Sequence, residues 1–128
     1  MNKVYKVSPE YISLFLGLLH EDVDERLEEL SGMNLVNRES VKRLVKEYLY
    51  PEYQNFTIST QFRIKESLRF GLNFWTEERL YEQFPSTDAA LEIPQQMTAK
   101  ELYKQIWDDI FDHEDITILG LTKYQESN

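Results

Sequence analysis

Residues 56–75 read FTISTQFRIKESLRFGLNFW, and the pattern of this stretch decides the predicted fold. Its large apolar side chains fall on even-numbered positions: Phe56, Ile58, Phe62, Ile64, Leu68, Phe70, Leu72 and Phe74. Strict alternation places such side chains on one face of an extended strand. Because strands usually run for roughly 3–10 residues, the stretch predicts two strands with a break near residues 65–67, or one long bent strand. We expect the rest of the chain to pack on this apolar face.

Helix-start signals divide the preceding residues into three predicted helices. Ser8 followed by Pro9 favours a first helix, because serine caps a helix and proline is tolerated at its first position. A second helix is expected over residues 22–31, and a third begins at Asn37. Pro51 should end the third helix, since proline disfavours helical backbone in the residue before it.

Two more helices and a final strand are predicted after residue 75. A short helix begins at Thr76 and turns three side chains inward: Leu80, Tyr81 and Phe84. Thr98 and Glu101 match a capping box, in which each side chain satisfies a backbone donor of the other residue, so a well-defined helix should begin there. Residues 116–121 (ITILGL) are expected to form the final strand, followed by a loose tail over residues 125–128.

Length and composition are typical of one domain over residues 1–128. With a first strand at residues 3–6, the elements predict an α+β fold: about five helices packed on a small, mostly antiparallel sheet of three to four strands. The absence of cysteine excludes disulfides and thiolate chemistry. No apolar run approaches the roughly 20 residues of a membrane span, so we expect a cytoplasmic protein with no membrane association.

Charge is the most informative bulk property, because the net charge of −9 is unevenly distributed. Residues 1–31 hold seven acids against three bases, and residues 76–115 hold eleven acids against three bases. Residues 38–69 reverse this balance with seven bases against four acids. The acidic ends would repel nucleic acid and attract a basic protein. We therefore expect a basic protein partner and no direct binding of nucleic acid.

Side chains on the second and last predicted helices form the candidate partner-binding surface. Carboxylates held on rigid helices can pair with arginine and lysine and steer a basic partner. Two aromatic side chains on the last helix, if partly exposed, would add an apolar anchor that slows dissociation. The full set is Asp24, Glu25, Glu28, Tyr103, Trp107, Asp108, Asp109, Asp112, Glu114 and Asp115. The alternative is that these carboxylates only keep the protein soluble.

Signals for catalysis and metal binding are sparse. His20 and His113 are the only histidines, and they do not form the i, i+4 pair that is typical of a zinc site. Carboxylate pairs such as Glu77 and Glu78 point in different directions on a helix. The chain has neither a glycine-rich phosphate loop nor a Gly-x-Ser-x-Gly motif. We expect no enzymatic activity and no cofactor; the alternative is a small metal-dependent hydrolase that uses the two histidines and neighbouring carboxylates.

Two short segments resemble the barstar family of acidic ribonuclease inhibitors. Residues 101–111 lead directly into Asp-Ile-Thr-Ile-Leu at residues 115–119, similar to the late helix and terminal strand of that family. Residues 50–53, Tyr-Pro-Glu-Tyr, are similar to the segment that precedes its inhibitory helix. In size, charge and architecture the chain also resembles small immunity proteins of bacteria, including those of contact-dependent inhibition systems. The resemblance implies inhibition of a basic nuclease toxin by covering its active site or a substrate-binding surface.

The leading hypothesis is therefore a non-enzymatic acidic protein that neutralises a basic partner, most specifically an immunity protein that blocks a nuclease toxin. Besides the hydrolase, the sequence leaves open a regulatory or structural subunit of phage type. Such a subunit would use its basic residues 38–69 as well as its acids, and one version is a homodimer that pairs the basic middle with an acidic end.

Overall fold

A computed structural model describes residues 4–17, 34–84, 93–118 and 120–126. Within these residues the fold is mostly helical. Its elements in chain order are β1 (Tyr5–Val7), α1 (Pro9–Phe15), α2 (Arg38–Leu44), α3 (Tyr50–Asn55), α4 (Ile58–Phe74), α5 (Glu77–Glu82), α6 (Ala99–Phe111) and β2 (Tyr124–Glu126). A π-helical turn, Val45–Leu49, joins α2 to α3, and a 3₁₀ turn, Leu121–Lys123, precedes β2. No helix in the described part of the chain is long and apolar enough to span a membrane.

Residues 58–74 of this stretch form one long helix, α4, so the prediction of two strands is wrong. Its deepest side is a stripe at three- and four-residue steps, formed by Ile64, Ser67, Leu68 and Gly71. Ser67 and Gly71 belong to this buried stripe but are not large apolar residues. The large apolar residues taken alone therefore show the alternation that is typical of a strand. Two members of the predicted apolar face lie outside the core: Phe74 is exposed, and Ile58 is 80% exposed.

Small residues on α4 let neighbouring segments approach its backbone closely. The backbone N–H of Ser8 donates to Oγ of Ser67 at 3.0 Å inside the core, which joins the β1–α1 junction to α4. At Gly71 the indole of Trp75 occupies the space of the missing side chain: a Cβ there would lie 2.4 Å from Cε3 of the ring. These contacts make α4 the central element, against which β1, α1 and α6 pack.

The predicted antiparallel sheet of three to four strands is also wrong. The described residues contain two short strands, β1 and β2, which pair in parallel with Tyr5 opposite Tyr124. The predicted final strand has no regular structure at residues 116–118, because side chains engage its backbone. The Thr117 N–H donates to Oδ1 of Asp115 at 2.9 Å, and the Ile116 carbonyl accepts from Asn73. Residues 125 and 126, assigned to a loose tail, belong to β2.

Helix starts were predicted more successfully than strands. Ser8, Asn37 and Thr76 each accept a hydrogen bond from a backbone N–H in the first turn of their helices. The capping box of Thr98 and Glu101 is complete, with bonds in both directions. These predictions are confirmed. The predicted second helix at residues 22–31 lies outside the described residues.

Pro51 does not end the third predicted helix, contrary to the prediction. The chain widens into the π-helical turn before it, and the N–H of Tyr50 bonds to the carbonyl of Val45, five residues back. Pro51 then lies in the first turn of α3, where its missing N–H leaves no broken bond. The wider turn therefore carries the helical path past the proline.

The core is formed by side chains from every helix. From α6 it receives Ala99, Leu102, Tyr103, Ile106 and Trp107, and from the α2–α3 segment it receives Val41, Leu44, Val45, Tyr48, Leu49 and Tyr53. Each fully buried large apolar side chain contributes roughly 1.5–3 kcal/mol to stability relative to leaving it exposed. Helix packing around α4, rather than a sheet, thus supplies the stability of this fold.

Candidate protein-binding surfaces

Several of the predicted partner-binding carboxylates are already engaged in ion pairs within the chain. Asp109 accepts two hydrogen bonds from the guanidinium of Arg38, both at 2.6 Å, and its side chain is mostly buried. Asp108 accepts from Nζ of Lys104 at 2.7 Å. Asp112 is exposed and ends α6 in a left-handed conformation, with φ of 52°. Of these three, Asp112 is the one without an ion pair to another described residue.

The carboxylate of Glu114 fastens the segment after α6 to α4, and the carboxylate of Asp115 stabilises a turn within that segment. Glu114 accepts from Nζ of Lys65 at 2.8 Å and from Arg69 at 2.7 Å. The hydrogen bond from Lys65, followed by that from Arg69, lowers the pKa of Glu114. The pKa of Asp115 is lowered by the hydrogen bonds that its carboxylate accepts from the backbone and side chain of Thr117. These two carboxylates are therefore part of the architecture of the chain itself.

The two predicted aromatic anchors are in the core. Tyr103 is almost fully buried and donates from its hydroxyl to the carbonyl of Leu80 at 2.9 Å. Trp107 is fully buried, and its Nε1–H donates to the carbonyl of Glu114 at 2.6 Å. The condition of partial exposure under which they would contact a partner is not met. Asp24, Glu25 and Glu28, the candidates on the predicted second helix, lie outside the described residues.

The lowered pKa of Glu114 predicts a dependence of stability on pH. A carboxylate with a depressed folded-state pKa stabilises the fold above its ordinary value, 4.5 here, and this stabilisation is lost as the pH falls through the folded-state pKa. Glu114→Gln should therefore destabilise the protein near pH 7, and the difference from the original chain should shrink at an acidic pH below 4.5, as the pH approaches the folded-state pKa. Because the side chain is 43% exposed, we expect less than about 1 kcal/mol.

Urea denaturation at both pH values measures this difference in the free energy of unfolding. Glu82→Gln is the matched control, since it removes an exposed carboxylate that has no ion pair with another described residue. A difference for Glu114→Gln that stays constant with pH would contradict the assigned role of the two cationic partners.

A different acidic surface lies on α5, and we call it the α5 cleft. It is a concavity of about 410 Å³ lined by Glu77, Glu78, Tyr81 and Glu82. Tyr81 is 46% exposed, contrary to the prediction that it faces inward. Leu80 in this helix and Phe84, two residues beyond its end, enter the core. The signal was available in the sequence, because Tyr81 is displaced by about 100° from Leu80 around a helix.

The carboxylates of the α5 cleft have different roles. Glu77 accepts hydrogen bonds from the backbone N–H groups of Ala99 and Lys100 at 2.6 and 3.1 Å, so it holds the first turn of α6. Glu78 and Glu82 are exposed, and neither forms an ion pair within the described part of the chain. Like charges one helical turn apart destabilise a helix by roughly 0.2–0.5 kcal/mol. The cleft thus presents two repelling carboxylates beside an exposed aromatic ring.

An oppositely charged groove lies between α2, the π-helical turn and α6, and we call it the basic groove. It has a volume of about 320 Å³ and is lined by Lys42, Val45, Lys46, Tyr50, Asp109 and Ile110. Among the described residues, its one carboxylate is that of Asp109, which is paired with Arg38. Lys42 has one long contact to Glu39 at 3.8 Å, and Lys46 pairs with no described residue. The groove therefore combines an apolar floor with two cationic side chains.

A buried carboxylate on α4 serves a structural purpose. The oxygens of Glu66 accept from the guanidinium of Arg69 and from the hydroxyl of Tyr124, the latter at 2.7 Å. Arg69 also donates to Glu114 and to the carbonyl of Asp115. Because every charged group of this cluster has a partner, the cluster ties β2 and the segment after α6 to α4.

The described residues contain no group of three or more histidine, cysteine, aspartate or glutamate side chains that could hold a metal ion. His113 is exposed, with Nδ1 3.6 Å from the carboxylate of Asp108. His20, the other residue of the hydrolase alternative, lies outside the described residues. A comparison with protein-family models, with curated proteins and with solved structures finds no match to this chain.

Proposed function

We propose that this protein is a non-enzymatic binding protein that neutralises a basic protein partner, with a nuclease toxin as the specific class of partner. The observation that carries the proposal is the α5 cleft, in which Glu78 and Glu82 flank the exposed ring of Tyr81. An aromatic ring beside carboxylates suits an arginine or lysine of a partner, because the ring contacts the aliphatic stem while the carboxylates bind the charged group.

The charge of the protein supports the same role. A net charge of −9 raises the association rate with a basic protein through long-range attraction. In the α5 cleft, a bound cation would also relieve the repulsion between Glu78 and Glu82. The predicted surface on α6 has less to offer a partner, since Asp108, Asp109 and Glu114 are bound to cations of the chain itself. The absence of cysteine suits a reducing cytoplasm, where such a partner would be neutralised.

The double variant Glu78→Lys/Glu82→Lys should lose binding of the basic partner. Affinity capture from an extract of the source cell, with the original chain and the variant as baits, should retain one basic protein on the original chain at low salt. The variant should retain at least tenfold less, because two attractive contacts become repulsive. High salt should reduce capture by the original chain, since screening weakens the steering of exposed charges.

The matched control is Glu39→Lys/Glu47→Lys, which makes the same change in net charge on a different exposed helical segment. It should retain most of the capture. The captured protein is then assayed for nuclease activity with increasing amounts of the original chain. If both variants lose capture equally, the α5 cleft is not the binding surface; if the captured protein stays active, the inhibitory role is wrong.

A further inference from the structure

The basic groove and the α5 cleft have matching patterns of charge. Lys42 and Lys46 are four positions apart in one continuous helical segment, as are Glu78 and Glu82. Each pair accompanies apolar surface: the groove has Val45 and Ile110, and the cleft has the exposed ring of Tyr81. Two such surfaces can meet with both charge pairs in register.

We propose that the basic groove binds the α5 cleft of a second copy of this chain. In this contact Lys42 and Lys46 pair with Glu78 and Glu82 of the other copy, and the Tyr81 ring lies on the apolar floor of the groove. The groove and the cleft are different surfaces, so each contact joins unlike patches of two molecules. The exposed cations of the groove and the exposed carboxylates of the cleft are the groups that this contact satisfies.

Charge complementarity indicates which surface binds in the basic groove. Among the described residues the groove is lined by two lysines and one carboxylate, Asp109, which Arg38 binds at 2.6 Å, so a complementary occupant is acidic. The α5 cleft supplies two carboxylates that are unpaired within the described residues and, like the two lysines, are four positions apart in the sequence. Self-association would occupy the surface that we assign to a basic partner, so the two interactions exclude each other. Dilution, or competition by the basic partner, should therefore dissociate the assembly into free chains.

Paired charge reversals test this contact. One variant, Lys42→Glu/Lys46→Glu, makes the groove negative, and the other, Glu78→Lys/Glu82→Lys, makes the cleft positive. Each variant alone has like charges on its two surfaces and should be monomeric, with the mass of one 15.4 kDa chain before the small change from the substitutions. In an equimolar mixture, the negative groove of the first faces the positive cleft of the second, and the positive groove of the second faces the negative cleft of the first.

Sedimentation equilibrium at low and high salt gives the masses. We expect the original chain to exceed the monomer mass at low salt and to return to it at high salt. The mixture of the two variants should regain the mass of the original assembly, a recovery that general loss of stability in either variant cannot produce. An original chain that is monomeric at low salt, or a mixture that stays monomeric, would overturn the proposal.

The same variants separate this proposal from the proposed function. Lys42→Glu/Lys46→Glu leaves the α5 cleft unchanged, so it should lose self-association and keep capture of the basic partner. If it captures the partner while the original chain is monomeric, self-association is wrong and the partner-binding role stands. If the original chain associates as expected and captures no partner, the partner-binding role is wrong and self-association stands.

Discussion

Replacing Arg69 by alanine should destabilise the protein by about 3–5 kcal/mol, since it leaves a buried carboxylate without its charged partner. The side chains of Arg69 and Glu66 are only 14% and 8% exposed. Arg69 also donates to Glu114 and to the carbonyl of Asp115, and its guanidinium lies 5.0 Å from the centre of the Trp107 ring. A domain of this size is stable by roughly 5–15 kcal/mol, so the loss should move the urea midpoint substantially.

Arg43→Ala is the matched control for this experiment. Its ion pair with Glu47 has a short distance of 2.7 Å, but both side chains are about half exposed, so its loss should cost less than about 1 kcal/mol. The double variant Arg69→Ala/Glu66→Gln should recover part of the loss, because it removes the unpaired charge. Equal losses for Arg69→Ala and Arg43→Ala would show that the buried cluster has no special role.

Gly71→Ala should destabilise the protein by about 1–3 kcal/mol, although alanine is the better helix former. The new Cβ would lie 2.4 Å from Cε3 and 2.9 Å from Cζ3 of Trp75. The ring cannot move away freely, because it is buried and its Nε1–H donates to Glu126 at 3.0 Å. The strain should therefore exceed the gain of roughly 0.5–1 kcal/mol that alanine brings to the interior of a helix.

Gly17→Ala is the control, since a Cβ at Gly17 meets no atom of the described residues within 4 Å. It should leave the midpoint of urea denaturation unchanged or slightly raised. The two variants add the same methyl group, so the difference between them measures the close packing of Trp75 on α4. A Gly71→Ala protein as stable as the Gly17→Ala protein would mean that the indole takes another position without cost.

Features that depend on a few neighbouring residues could be predicted from the sequence. Four helices begin at a capping residue whose side chain accepts from a backbone N–H two or three positions away: Ser8, Asn37, Thr76 and Thr98. The starts of these helices therefore depend on neighbouring residues alone. The prediction of two strands at residues 56–75 was wrong for a different reason. Whether alternating apolar residues form a strand depends on what covers them, and the stripe of α4 includes a serine bonded to Ser8 and a glycine covered by Trp75.

The candidate binding surface was predicted less well, because charge in a sequence does not reveal which charges are paired. Asp109 and Arg38 are 71 positions apart, and Glu114 reaches Arg69 across 45 positions. These carboxylates of the predicted acidic face are therefore paired with basic residues that are distant in the sequence. In the α5 cleft Glu78 and Glu82 lie four positions apart on one helix and form no ion pair with another described residue, so repetition within one helix was the better signal.

The parallel pairing of β1 with β2 has a consequence for how the protein folds. Tyr5 in β1 pairs with Tyr124 in β2, so the pairing closes a loop of more than 100 residues. Contacts of such large sequence separation carry a high entropic cost and slow the rate of folding. During synthesis, at roughly 5–20 residues per second, β1 leaves the ribosome before β2 and stays unpaired until β2 has been made. Tyr5 packs edge-on against Tyr124 in the finished fold, so this aromatic contact can form only after Tyr124 has left the ribosome.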